Sequence, residues 1–143
     1  MVPTTQWAIE SGKWKEIVQS YLACVSFVDF YIGEIINALG KSKYAKNTII
    51  VLWSDHGYRL GEKEFFSKHC LWKEATKSPL IFSGFGIKKG EINDSPTELL
   101  SIYPTLLELA GIEPYEKNEG ISLAPILKGK VKSVQEFALT TYG

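Results

Sequence analysis

The sequence predicts an α/β fold in which helices flank a sheet, and three observations support this prediction. From Trp14 to Leu39, apolar residues recur three and four positions apart, which is the spacing of an amphipathic helix that Gly40 would close. The apolar run from Ile49 to Trp53 is short and rich in β-branched residues, so it predicts a strand buried on both faces. A second strand is predicted from Pro79 to Ser83, after a polar loop.

Shorter elements are predicted in the remaining sequence. The pattern favours a helix from Ile102 to Ala110, with Ser101 as its N-terminal cap and Gly111 at its end. The segment from Leu71 to Thr76 is expected to form a short helix or a turn, and the segment from Glu136 to Tyr142 an edge strand.

Length and composition indicate the size of one ordinary domain. The chain has 143 residues, of which 45% are hydrophobic and 22% charged, as in folded globular proteins. Sixteen basic residues balance sixteen acidic ones, so we expect neither a nucleic-acid partner nor a membrane partner. No apolar run is expected to approach membrane-spanning length, and segment 1–13 shows no clear periodicity. The two cysteines, Cys24 and Cys70, establish no disulfide framework. The sequence does not indicate a cellular compartment.

A polar loop with candidate site residues follows the first predicted strand. Ser54, Asp55, His56 and Gly57 come where open α/β sheets place their ligands. Lys68 lies 13 residues beyond Asp55 and is followed by a second histidine. A carboxylate, an imidazole and an ammonium on one loop suit a metal ion and an anion. The three residues Asp-His-Gly alone favour an ordinary turn, in which Asp55 would cap the next segment and Gly57 would supply a positive φ.

Arg59 is the single arginine of the chain and lies four residues after Asp55. The planar guanidinium of arginine suits binding to oxyanions, so Arg59 is a candidate substrate contact. The alternative is a role at the protein surface.

The stretch from Asn47 to Leu80 resembles the C-terminal signature of the sulfatases, within the alkaline-phosphatase-like superfamily. The signature comprises an apolar strand, Ser-Asp-His-Gly with an aromatic, Leu-Gly-Glu, a lysine, and an acidic segment before Pro-Leu-Ile. In this chain the six pieces lie, in the same order, at 49–53, 54–58, 60–62, Lys68, Glu74 and 79–81. Further resemblance at 21–39, 103–111 and 120–129 extends it from about Trp14 to the end. The whole chain, 1–143, is therefore expected to be a C-terminal part of a sulfatase catalytic domain, with a partial sheet and flanking helices.

The resemblance implies roles for the candidate residues. Asp55 and His56 correspond to two metal ligands, and Lys68 corresponds to a lysine that contacts sulfate. A dication and an ammonium together would neutralise charge on an oxyanion. The metal is usually calcium in sulfatases, although the nitrogen of His56 would equally suit manganese or zinc. His69 is a candidate proton donor, with an orienting or surface role as the alternative.

The chain lacks two further parts of the sulfatase pattern. Sulfatases carry a Cys/Ser-x-Pro/Ala-x-Arg motif, which is converted to a formylglycine nucleophile, and an early Asp-Asp pair. Cys24 and Cys70 lie in CVSFV and CLWKE, which do not match that motif.

The resemblance thus implies hydrolysis of a sulfate ester by the parent protein. This chain alone is expected to be inactive and to form homo-oligomers through an exposed sheet edge. The alternatives are a phosphodiesterase or phosphonate hydrolase of the same superfamily, and a folded remnant without catalysis.

Overall fold

The computed structural model describes residues 4–141, which form two compact units. The first unit comprises 4–48 and 56–79, and the second comprises 49–55 and 80–141. The helices are α1 Thr5–Glu10, α2 Trp14–Gly40, α3 Lys73–Thr76, α4 Ile102–Ala110 and α5 Ala124–Leu127. The strands are β1 Ile49–Trp53, β2 Arg59–Leu60, β3 Phe66–Ser67 and β4 Leu80–Gly84. This mixture of helices and strands agrees with the predicted α/β class.

The first unit is built on α2, whose bounds match the predicted helix to within one residue. The preceding α1 was not predicted, because six residues are too few to show a helical period. Its first turn is capped by Thr4, whose side-chain oxygen accepts a hydrogen bond from the backbone N–H of Trp7 at 3.2 Å.

The apolar side chains of α2 are largely exposed in the described part of the chain. Phe27 is 64% exposed and Ile35 is 69% exposed. By length and composition α2 could cross a membrane, with a mean hydropathy of 1.6 over its most apolar window. The expectation that no apolar run approaches membrane-spanning length is therefore wrong. A helix that packs against protein passes the same criterion, so length and composition alone assign no membrane role.

The second unit contains an antiparallel pair of strands, β1 and β4, in which Ile49 faces Gly84 and Trp53 faces Leu80. The prediction that β1 is buried on both faces is wrong, since Leu52 is 36% exposed and Trp53 is 49% exposed. Within the described residues β1 has β4 as its one hydrogen-bonded neighbour. The strand itself was predicted correctly because β-branched residues favour extended backbone.

Helix α4 has the predicted bounds and ends at Gly111, which adopts φ 68° as a left-handed cap. Ser101 precedes the helix, but its side chain makes no capping hydrogen bond. The chain enters α4 through a 3₁₀ turn, Leu99–Ser101, so Ser101 already has helical backbone angles instead of the extended ones of a cap.

The predicted edge strand from Glu136 to Tyr142 is not formed by its described residues, 136–141. Here the backbone N–H of Leu139 donates to the Glu98 carboxylate at 2.6 Å, instead of to a neighbouring strand. Tyr142 lies outside the described residues.

Candidate functional site

Strand β1 ends at Trp53, so Ser54 and Asp55 follow its carboxyl end, as the sequence predicted. Asp55 is exposed and belongs to the second unit. His56 begins the return of the chain into the first unit, which also carries Arg59, Lys68 and His69. The distance between Asp55 and Lys68 stays a prediction of the sequence.

The ring of His56 is held by the neighbouring backbone. Its Nδ1 atom lies 2.6 Å from the carbonyl oxygen of Gly57. Because a carbonyl oxygen only accepts hydrogen bonds, Nδ1 carries the hydrogen in this contact, and in the neutral imidazole the acceptor lone pair then lies on Nε2. This is the tautomer in which an imidazole binds a metal through Nε2 while its other nitrogen is fixed by a carbonyl.

Gly57 allows the loop to approach α3 closely. Its backbone N–H donates to the carbonyl of Ala75 at 2.7 Å, and a Cβ at this position would overlap the carbonyl oxygen of Glu74. Its φ is not positive, so the turn interpretation, in which Gly57 supplies a left-handed conformation, is wrong. The glycine is needed because only a residue without Cβ fits against this backbone.

A short hairpin brings Lys68 back beside the loop. In the antiparallel pair of β2 and β3, Arg59 faces Ser67. Lys68 follows Ser67, so the chain returns at Lys68 towards Tyr58, two residues after His56. Sequence reasoning missed this hairpin because two-residue strands show no alternating pattern. Lys68 is half-buried and the next residue, His69, is exposed.

Aromatic residues of α2 support the hairpin within the first unit. The ring of Trp14 packs against Phe66 with the centroids 4.7 Å apart, and Tyr21 stacks on Tyr58 at 5.4 Å. Gly61, in the hairpin loop, adopts φ 114°, and a Cβ here would overlap the Trp14 ring. The glycine of Leu-Gly-Glu therefore lets α2 pack directly against the hairpin that carries Lys68.

Arg59 is 3% exposed, so the alternative of a surface role is wrong. Its Nη1 lies 4.0 Å from Sγ of Cys70, and its guanidinium carbon lies 5.3 Å from the ring centroid of Phe65. Its Nε and Nη2 have no hydrogen-bond partner among the residues that the structure describes. The predicted contact of Arg59 with substrate stays a prediction.

The described residues contain no cluster of three or more histidine, cysteine, aspartate or glutamate side chains that could hold a metal ion. Asp55 and His56 stay predicted metal ligands, and a complete metal site would need more ligands than these two. The tautomer of His56 and the carboxylate of Asp55 suit this role chemically.

The comparisons with known proteins agree with the resemblance seen in the sequence. The family model described as Sulfatase matches residues 3–112. A sulfatase of Formosa agariphila is 58% identical over all 143 residues, which span 28% of its length. The solved structure of BT4656 in complex with its substrate, D-glucosamine-2-N,6-O-disulfate, is 35% identical with a TM-score of 0.82; the match covers 92% of this chain and 27% of that one.

A phosphonate monoester hydrolase from Silicibacter pomeroyi is similar as well. It is 34% identical with a TM-score of 0.70, over 76% of this chain and 21% of that chain. These similarities define the fold class as the alkaline-phosphatase-like α/β class. Within that class, the chain belongs to the sulfatase family.

Proposed function

We propose that this chain supplies the metal-binding and oxyanion-binding loop of a sulfuric ester hydrolase. The main supporting observation is the β2–β3 hairpin, which returns Lys68 beside the segment that carries His56. Membership of the sulfatase family and the sulfated substrate of BT4656 support a sulfate ester as the substrate.

Lys68 would bind the non-bridging oxygens of the sulfate group. Its ammonium would neutralise charge that grows as the ester bond to sulfur breaks, which is where fixed cations contribute most to catalysis. His69 is exposed and adjacent, so it can reach a leaving group as a proton donor. Arg59 would add a second cation if an oxyanion enters beside the hairpin.

Asp55 and His56 would bind the metal ion, with calcium as the first choice and manganese or zinc as alternatives. A bound dication would supply further charge neutralisation. Calcium takes six to eight oxygen ligands, so two ligands predict weak binding by this chain alone. Because the chain lacks the formylglycine motif, it is expected to hydrolyse no sulfate ester by itself.

A chimera tests the proposed reaction. The matched segment of the Formosa agariphila sulfatase would be replaced by this chain, since 58% identity favours correct packing. We expect the purified chimera to hydrolyse 4-nitrophenyl sulfate faster than a 4-nitrophenyl phosphonate ester. A chelator should abolish this activity, and calcium should restore it.

A preference for the phosphonate ester would favour the alternative of a phosphonate hydrolase, which the similarity to the Silicibacter pomeroyi enzyme supports. A chimera with the circular dichroism spectrum of the parent sulfatase but no hydrolysis of either ester would favour the non-catalytic remnant.

A further inference from the structure

The guanidinium of Arg59 is buried with incomplete hydrogen bonding. The residue is 3% exposed, and neither Nε nor Nη2 has a hydrogen-bond partner in the described part of the chain. Leaving a buried charged donor without an acceptor costs more free energy than a good hydrogen bond returns. The surroundings of Arg59 are therefore suited to a group with additional acceptor atoms.

Cys70 is the residue towards which this guanidinium points. Its Sγ lies 4.0 Å from Nη1 of Arg59, the limit for a hydrogen bond to sulfur. Cys70 is half-buried, so a small reagent can reach it, and its backbone N–H donates to the carbonyl of Lys68 at 2.8 Å. A thiol is a weak acceptor and satisfies the guanidinium poorly.

We propose that Cys70 is a site of reversible oxidation to sulfenic acid by hydroperoxides, directed by Arg59. The thiolate sulfur attacks one peroxide oxygen, so that an S–O bond forms and the O–O bond breaks. The sulfur loses two electrons and the peroxide gains them; the leaving oxygen departs as hydroxide, or as alkoxide from an alkyl hydroperoxide, and takes up one proton to give water or an alcohol.

The geometry favours the oxidised form of Cys70. The added oxygen is a strong acceptor and, bonded to Sγ, would come within hydrogen-bonding reach of the guanidinium, where the present contact is long. It would accept a charge-assisted hydrogen bond from a donor that sulfur satisfies weakly. The negative charge of the attacking thiolate also faces a fixed positive charge that the protein has already desolvated.

Cys24 provides an internal control, because it lies exposed on α2 whereas Cys70 is half-buried. If access alone decided the rate, Cys24 would react first. The test exposes the dilute folded chain to stoichiometric hydrogen peroxide with dimedone as the trap for sulfenic acid, and quantifies both cysteine peptides by mass spectrometry.

We expect dimedone labelling at Cys70 to exceed that at Cys24 by about tenfold in the folded chain. This ratio corresponds to the free energy of about one charge-assisted hydrogen bond. In urea the two cysteines should react equally. Labelling of Cys24 equal to or above that of Cys70 in the folded chain would overturn the proposal, and this measurement needs no variant.

Two variants separate the effect of Arg59 on Cys70 labelling from the effect of another positive charge in the hairpin. Arg59→Met should lower labelling at Cys70 to the level of Cys24, whereas Lys63→Met removes another hairpin cation and should leave it unchanged. Unchanged labelling of Cys70 in a folded Arg59→Met chain would also overturn the proposal. Circular dichroism checks that each variant is folded.

Discussion

At the scale of single residues, Glu108 shows how two donors act on one carboxylate. Ser122 Oγ donates to its Oε2 at 2.6 Å, and Lys128 Nζ lies 3.1 Å from its Oε1. The hydrogen bond from Ser122 is the largest cause of a lowered pKa at Glu108; burial opposes it, and Lys128 adds to it. A pKa below the unfolded value means that ionised Glu108 stabilises the fold above the ordinary carboxyl pKa, and that this stability is lost as pH falls through the folded pKa.

We therefore predict that Ser122→Ala raises the pKa of Glu108. Carbon-detected NMR of the Glu108 carboxyl during a pH titration measures this directly, with Lys130→Gln as a milder charge control.

The Glu108 side chain is 43% exposed, so Glu108→Gln should cost less than about 1 kcal/mol of unfolding free energy at pH 7 and nothing at a pH below both pKa values. An unchanged titration midpoint of Glu108 in the Ser122→Ala variant would contradict the assignment of Ser122 as the largest cause of the lowered pKa.

Gly61 gives a second residue-scale prediction, because its φ of 114° and its contact with Trp14 both exclude a side chain. We expect Gly61→Ala to destabilise the chain by about 2–4 kcal/mol through overpacking and backbone strain. The control is Gly33→Ala in α2, where no atom lies within 4 Å of the new Cβ. That change should be neutral or stabilise by up to about 1 kcal/mol. Urea unfolding measures both, and equal effects would refute the packing role of Gly61.

At the scale of elements, the exposed apolar surface of α2 predicts self-association. Phe30, Tyr31 and Ile35 are all more than half exposed, and β1 has one hydrogen-bonded neighbour within the described residues. Contiguous apolar surface of this kind favours contact with other protein. Light scattering across a dilution series should show dimers or larger species that dissociate on dilution.

Substituting Phe30 and Ile35 by lysine should increase the monomer fraction, whereas Gly33→Ala should not. A wild-type chain that stays monomeric at high concentration would contradict the prediction. Flotation with lipid vesicles separates this behaviour from membrane binding, which the length and hydropathy of α2 would also permit.

The elements also show where the sequence is informative. Residues of α2 and α4 carry a sustained helical period, so both helices could be predicted nearly to the residue. The β2–β3 hairpin could not be predicted, because its two-residue strands are shaped by the packing of Trp14 against Gly61 and Phe66. Such contacts join residues far apart in sequence and leave no local pattern. The burial of β1 was overestimated, because an apolar strand pattern indicates that burial is favourable but does not show that the described residues cover both faces.

For the candidate site, the sequence predicts Asp55, His56 and Lys68 by motif, and the structure adds the contact between His56 Nδ1 and the Gly57 carbonyl and the return of the hairpin. Arg59 was predicted as a substrate contact, and that role stays a prediction. Its burial against Cys70 could not be predicted, since it depends on the fold of the turn after Lys68.

At the scale of the whole molecule, the chain spans 28% of the length of its Formosa agariphila relative, so its chemistry is best measured in the chimera. The most direct measurement compares Lys68→Ala with Lys63→Ala by kcat/KM for 4-nitrophenyl sulfate. Lys63 lies in the same hairpin, with its ammonium 2.9 Å from the ring centroid of Trp72, and serves as the matched cation. Loss of Lys68 should lower kcat/KM by about 10²–10³-fold, the effect of removing one oxyanion-stabilising group. Loss of Lys63 should leave it within about twofold, and equal effects of the two substitutions would contradict the assignment of Lys68 to the sulfate group.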